Sequence, residues 1–306
     1  MFSSTVKALL KTTLARFLLT LAVAINLGAF LLARALGINL ELVVAAFAIA
    51  TLIVAMLLER VIPYAPHWNQ SHQDIGIDIP STAVLLGLVD PLLKYLAPIA
   101  AVALYGLLDI SDLYSQIVGQ MSFLWQLVIV SVLLELARYW MHRLHHSVRW
   151  LWWLHAMHHS SERLHALNNF RFHPLNYALM FVASIFPFVL IGTPAEVLFG
   201  YLALSLPVIM LQHANIDLRS GLFNYVFSTN ELHRWHHSSS AAQANSNYGH
   251  ALILWDQLFG TFKYQRSGNN MPTAIGLFRN SRQHYPMRAS YLSQLLSMFS
   301  KKCCHR

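Results

Sequence analysis

Three groups of histidines in this 306-residue chain share one helical spacing. His142 and His146 stand four apart; His155, His158 and His159 form an H-x-x-H-H pattern; His233, His236 and His237 repeat it. On a helix, residues three and four apart lie on one face, about 5–6 Å from each other. Each group therefore aims two or three imidazoles at a common point. Imidazoles crowded into a partly dry place repel once charged and cost energy when left unsatisfied. A metal ion removes both problems, and imidazole suits zinc, iron, copper and nickel. Eight clustered histidines exceed one ion's coordination shell, so the pattern predicts a pair of ions. Structural zinc often takes cysteine, but Cys303 and Cys304 sit together at the C-terminal end. The H-E-x-x-H of zinc proteases and the Glu-x-x-His pairs of soluble di-iron bundles are both absent. The expected centre is dominated by histidine. Trp140, Trp150, Trp152, Trp153 and Trp235 read separately as an aromatic belt at a membrane interface.

The elements that must hold these histidines are apolar. The chain is 56% hydrophobic and only 11% charged, with a mean hydropathy of +0.46; soluble domains carry roughly 25% charged residues. A membrane span needs about 20 mainly apolar residues. Phe17–Leu36 and Leu40–Leu58 qualify and are expected to form a retained hairpin rather than a cleaved leader. Thr82–Leu108 contains Asp90-Pro91, Lys94 and Pro98, which predicts a kinked span or two pieces. Met121–Ala137 runs straight into the first histidine group. Leu175–Ile191 and Ala195–Leu211 are expected to make a last, short hairpin turned by Gly192-Thr193-Pro194.

Orientation follows the basic residues. Lys7, Lys11 and Arg16 precede the first span; Arg138, Arg143, Arg149, Arg163 and Arg171 follow the fourth; Arg219 and Arg234 follow the last. Six crossings would put all of these, the histidines and both termini in the cytosol, with Asp109 and Asp112 on the opposite side. The net charge of +8 is therefore expected beside membrane faces. Nucleic-acid binding is not expected, because no recognition motif accompanies the charge. No internal repeat and no disulfide framework is visible.

The segments ELARYWMHRLHH, LWWLHAMHHSSE, FRFHPLN, QHANID, NELHRWHHS and NYGHALILWDQLFGTF occur in this order. Together they resemble the fatty acid hydroxylase/sterol desaturase superfamily of integral membrane, histidine-rich di-iron oxidoreductases, over about positions 55 to 265. The resemblance implies ligation of two non-haem iron ions by His142, His146, His155, His158, His159, His233, His236 and His237. His213 in QHAN matches a further ligand position. Asp217 stands where some relatives carry a second histidine. His145 falls between matched positions and is read as non-ligating. His173 in RFHP matches a family position, with ligation and an outer structural role both open. His67, His72, His165, His250 and His284 are read as ordinary polar residues.

The implied reaction hydroxylates or desaturates a lipid C–H bond with O2, chemistry that no side chain can perform without a cofactor. Neutral imidazoles leave the irons' charge unbalanced, so nearby carboxylates are expected to accept distal ring N–H groups. Glu135, Glu162, Asp217, Glu231 and Asp256 are the candidates. Glu135, two helical turns before His142, and Asp256 are the preferred pair, with a Glu135–Arg138 helix pair as the structural alternative for the former. The chain shows neither a dinucleotide fingerprint nor a cysteine pattern for iron–sulfur clusters. An external electron donor (ferredoxin, cytochrome or reductase) is thus expected to dock where cytosolic arginines gather.

The expected fold is an all-α integral membrane protein with four to six transmembrane helices and a cytosolic helical, histidine-rich metal domain. Residues 1–60 would form the N-terminal transmembrane hairpin, 61–265 the catalytic region and 266–306 a C-terminal cytosolic tail. The host membrane would be a bacterial inner membrane or the endoplasmic reticulum. The competing reading, a metal transporter or metal-binding membrane protein, would want polar residues along several spans; spans one, two and four are nearly free of them.

Overall fold

A computed structural model describes residues 4–108, 110, 113–265, 272, 274–301 and 303–304. Asp109 and Asp112, the acidic loop expected opposite the histidines, lie outside the described residues. In chain order the helices begin with α1 (Ser4–Leu36), α2 (Leu40–Val61), α3 (Ile75–Val84), α4 (Asp90–Leu108) and α5 (Leu113–Ile117). Then come α6 (Phe123–Ser147), α7 (Arg149–His159), α8 (Pro174–Ser184), α9 (Phe186–Leu190) and α10 (Ala195–Gln212). Among the described residues, five short helices follow: α11 (Asn230–His236), α12 (Ala241–Ala244), α13 (Leu254–Leu258), α14 (Arg279–His284) and α15 (Tyr291–Leu296). Among the described residues, extended pairing is limited to isolated bridges such as Pro63 with Ile216 and Phe227 with Leu252.

Among the described residues, five helices are long and apolar enough to cross a bilayer: Lys11–Leu36, Leu40–Val61, Ile75–Tyr105, Phe123–Ser147 and Ala195–Gln212. Their large apolar side chains face outward, as lipid contact demands; Leu21, Ile25, Leu42, Ile53 and Leu57 are all more than half exposed. Of the two outcomes expected for Thr82–Leu108, a kinked span or two pieces, the chain takes the single span. A five-residue π segment, Leu85–Val89, joins α3 to α4, and the run stays helical. The expected sixth crossing differs. Leu175–Ile191 divides into α8 and α9, because Pro187 cannot continue the hydrogen-bond ladder. Gly192 then turns the chain in the left-handed region, φ 81°.

The chain partitions into two compact units interleaved along the sequence. The first comprises residues 1–72, 161–169 and 202–277; the second comprises 73–160, 170–201 and 278–306. In the first, α1 and α2 pair, and Asn26 donates to Thr51 Oγ1 across them at 3.1 Å. Such interhelical bonds are favoured where water is absent. Leu18, Leu19, Ala22 and Ala55 of this pair pack with Val208, Leu211, Ala214, Ile216 and Leu218. Glu59, near the end of α2, accepts from the backbone N–H of Ala166 at 2.6 Å and of Asn215 at 2.9 Å. It thereby fastens two loops of the first unit to the membrane hairpin.

In the second unit, α6 packs on α7 and α8, and α4 packs on α9. Arg171, 1% exposed, ties this unit together. Its guanidinium donates to Asp78 Oδ1 at 3.0 Å, to the Met157 carbonyl at 3.1 Å and to Ser160 Oγ at 2.9 Å. The C-terminal segment from Phe278 onward lies on α7. Trp152 stacks on Phe278 with 4.5 Å between centroids, and Trp153 meets Tyr285 edge-on at 5.2 Å. Cys303 and Cys304 are bonded to each other.

Candidate metal centre

The second unit holds the first two histidine groups. Helix α6 carries His142 and His146 one turn apart, and α7, which starts at Arg149, folds back so that His155 and His159 meet them. His142 Nε2 lies 3.0 Å from His155 Nε2, and His146 Nε2 lies 3.2 Å from His159 Nε2. Ligand atoms of all four fall within 4.8 Å of one another. His142 is 9% exposed and the other three 3% or less. His158, also on α7 and buried, has its ring parallel to Phe172 at 4.2 Å.

The first unit holds the remaining histidines. His213 follows α10 directly, while α11 presents His233 and His236, with His237 at its C-terminal boundary. The Nε2 atoms of His213, His233 and His237 form a triangle with edges of 3.0, 3.0 and 3.1 Å. His236 sits beside His233, ring centroids 5.1 Å apart.

Tautomers follow from what the other ring nitrogen meets. Asn169 donates its amide N–H to the Ala166 and Met210 carbonyls, so its Oδ1 must accept from His213 Nδ1–H, at 2.6 Å. His236 Nδ1 likewise donates to the Ser246 carbonyl at 2.9 Å. His155 Nδ1 is 2.9 Å from Asn176 Oδ1, an acceptor of the same kind. Burial holds these rings neutral. It depresses His213 to about 3 and His236 to about 4, and it pulls His155 well below the usual range, helped by His142 and His146. With Nδ1 carrying the proton, Nε2 of His213 presents a lone pair to its neighbours.

Lone pairs gathered at about 3 Å repel unless a cation lies among them. A metal–imidazole bond is about 2.1 Å, and two such bonds at right angles place their nitrogens about 3.0 Å apart. The triangle of the first unit has those edges, so its donor set fits one face of a metal ion's shell. The Nε2 contacts of the second unit fit equally well.

His145 is buried, its Nδ1 donates to the Met141 carbonyl at 2.8 Å, and its Nε2 has no hydrogen-bond partner. His173 has both nitrogens engaged: Nδ1 accepts from Leu175 N as the cap of α8, and Nε2 reaches the Leu295 carbonyl at 3.3 Å. Glu135 is fully buried on α6 and accepts from the Tyr201 hydroxyl at 2.6 Å. Asp256, also fully buried, accepts from Tyr248 N, Gly249 N and Thr261 Oγ1 at 2.8, 2.6 and 2.7 Å. Glu231 accepts from Ser220 N and Asn224 Nδ2, and Asp217 pairs with Arg219.

Sequence reasoning looked for carboxylates and missed Asn169 and Asn176. The available signal was the place of Asn176 inside the FRFHPLN segment and of Asn169 directly before it. It missed Glu59 as well, the residue directly after the expected Leu40–Leu58 span. The aromatic belt is corrected. Trp152, Trp153 and Trp235 are 0, 2 and 2% exposed and belong to the core, whereas Trp140 and Trp150 are exposed. The arginine face is corrected too. Arg163, Arg171 and Arg234 are buried: Arg163 donates to the Trp68 carbonyl, and Arg234 lies over the Tyr64 ring at 4.0 Å.

Helices of membrane-spanning length, bearing buried and neutral imidazoles at their ends, define a histidine-rich metalloprotein of the membrane. The comparisons with known proteins agree. Residues 127–261 match the family model described as fatty acid hydroxylase. An ornithine lipid hydroxylase, OlsE, of Rhizobium tropici is 33% identical over 258 residues, 83% of this chain and 75% of its own. The chain belongs to the fatty acid hydroxylase family. Human alkylglycerol monooxygenase is 30% identical over 42% of this chain, and that of Xenopus tropicalis 26% over 45%. Those matches span only 28% and 30% of the two animal proteins. No solved structure matches the chain.

Proposed function

We propose that this chain is a di-iron, O2-dependent lipid hydroxylase. The observation that carries the reading is the pair of histidine groups whose Nε2 atoms gather at 3.0–3.2 Å, with the Nδ1 protons of His155 and His213, one in each group, directed at neutral amide oxygens. His142, His146, His155 and His159 would hold one ion and His213, His233 and His237 the other, with His158 and His236 completing the set. When bound, the iron pair supplies the O2 activation that lets an unactivated C–H bond be oxidised.

The chain's own groups do the rest. Asn169, Asn176 and the Ser246 carbonyl hold Nδ1–H, which leaves Nε2 for the metal and fixes each ring's plane. Burial of every ring excludes water from the oxidising centre. Glu135 and Asp256 act at one remove. Glu135 fixes α6 to Tyr201, and Asp256 shapes the loop whose Ser246 carbonyl holds His236. Residues 61–265 carry the catalytic region and 1–60 the anchoring hairpin. The lipid tail reaches the site sideways from the bilayer, and an external redox protein supplies electrons.

Following the basic residues before the first span, we assign both histidine groups to the cytosolic face. That topology requires α8 and α9 to traverse the bilayer as a broken helix; Pro174 to Leu190 would span about 25 Å if helical throughout. The relative named for ornithine lipid suggests a polar-headgroup membrane lipid as the first substrate to try, with alkylglycerols second.

Anaerobically purified chain should carry about two irons and, given reductant, O2 and ornithine lipid or alkylglycerol, yield a product 16 mass units heavier. Metal flux across proteoliposomes without O2 consumption would replace the proposal with the transporter.

A further inference from the structure

The last described segment, Phe278 to Lys301, has two unlike faces. Its inner face is pinned to α7: Trp152 Nε1 donates to Ser281 Oγ and Trp153 Nε1 to Ser297 Oγ, both at 2.9 Å. Buried Gln294 closes the turn before α15 by donating to the Met287 and Ala289 carbonyls. The outer face carries Leu292, Leu296 and Phe299, which are 61, 55 and 78% exposed. These are four and three residues apart across α15 and the helical turn Ser297–Phe299, so they form a single stripe.

Cations flank the stripe. Arg279, Arg282, Arg288 and Lys301 are exposed, and neither aspartate nor glutamate occurs after Asp256. Arg282 and Arg288 line a shallow cavity of about 410 Å³ together with Tyr285 and Met287. The position also matters. Helix α7 begins just beyond the end of α6, itself long and apolar enough to cross a bilayer. A segment pinned at Trp152 and Trp153 therefore lies close to where that helix leaves the membrane. Arg149 and Trp150 are exposed at the same place, the basic and aromatic pair favoured at a bilayer surface.

We propose that residues 278–301 form an in-plane anchor bound to an anionic phospholipid leaflet. Leu292, Leu296 and Phe299 seat among the acyl chains, and Arg279, Arg282, Arg288 and Lys301 meet the lipid phosphates. Three large apolar side chains held toward water would be costly, while a stripe flanked only by cations matches a surface with an apolar interior and negative headgroups. The inference needs only that α6 crosses a bilayer, and it stands apart from the metal and the reaction.

The test uses the full chain in lipid nanodiscs, with Cys303→Ser and Cys304→Ser, and a nitroxide on Leu296→Cys or Phe299→Cys, with the same nitroxide free in the buffer as the water reference. In discs containing phosphatidylglycerol, labels at 296 and 299 should be reached by O2 in preference to a water-soluble nickel complex, and the free nitroxide the reverse. Arg279→Gln, Arg282→Gln and Arg288→Gln together should shift positions 296 and 299 toward the reference. Labels at 296 and 299 as nickel-accessible as the free nitroxide in anionic discs would overturn the anchor. So would labels that become shielded only when an electron-donor protein is added, which would make the face a protein-docking surface. Near-ultraviolet circular dichroism that matches the parent chain confirms that each labelled protein is folded.

Discussion

At the residue scale, the informative side chains beside the histidines are amides. Asn169 can only accept from His213 because its own N–H groups are engaged by two carbonyls. Asn169→Leu should therefore free the ring to take the other tautomer and weaken metal retention by about 10–100-fold. Asn169→Asp keeps an acceptor and should retain most of the metal. Iron per chain after dialysis against a chelator measures both, and equal iron in Asn169→Leu and the parent would end the tautomer argument. The histidines themselves were legible because their spacing repeats the helical period. Asn169 and Asn176 were not, since a single asparagine carries no periodic signal and its partner is 44 or 21 residues away.

At the scale of elements, the spans were legible from apolar length, and their ends were not. Helix α6 runs ten residues past the expected Ala137, because Arg138 to Ser147 keep helical spacing while half their faces are covered. The division of α8 from α9 turns on Pro187, whose cost depends on where the neighbouring carbonyls lie. The loop from Asn245 to Gly249 is held from outside itself. Asp256 accepts its Tyr248 and Gly249 N–H groups, and its Ser246 carbonyl holds His236. A Cβ on Gly249 would lie 2.3 Å from the Leu252 carbonyl oxygen and 3.1 Å from Asp256 Oδ2. Gly249→Ala must move that backbone. It should cost about 1–3 kcal/mol and lower the melting temperature and the iron content together. A melting temperature equal to that of the parent would show that the loop yields at no expense.

At the scale of the whole molecule, what sequence reasoning took for surface charge proved to be internal joinery. Positive-inside logic counted Arg171 as a cytosolic marker, yet its guanidinium joins α3, the end of α7 and the segment leading into α8. Arg171→Met should destabilise by about 3–5 kcal/mol, because the fully buried Asp78 carboxylate loses its cation. Arg171→Met combined with Asp78→Leu should regain much of that loss, as read by thermal unfolding in detergent. A harmless single substitution would count against the ion pair as a keystone. The interleaving of the two units was invisible in the sequence, since contacts between distant segments leave no local pattern. It also imposes an order on biosynthesis. Helices α1 and α2 leave the ribosome first, while their packing partners Val208, Leu211 and Ile216 trail by about 150 residues, roughly 10–30 s of translation. Through that interval Glu59 awaits the Ala166 and Asn215 amides at the membrane rim. The nascent hairpin must be sheltered by water, headgroups or an insertion chaperone until the chain that completes it arrives.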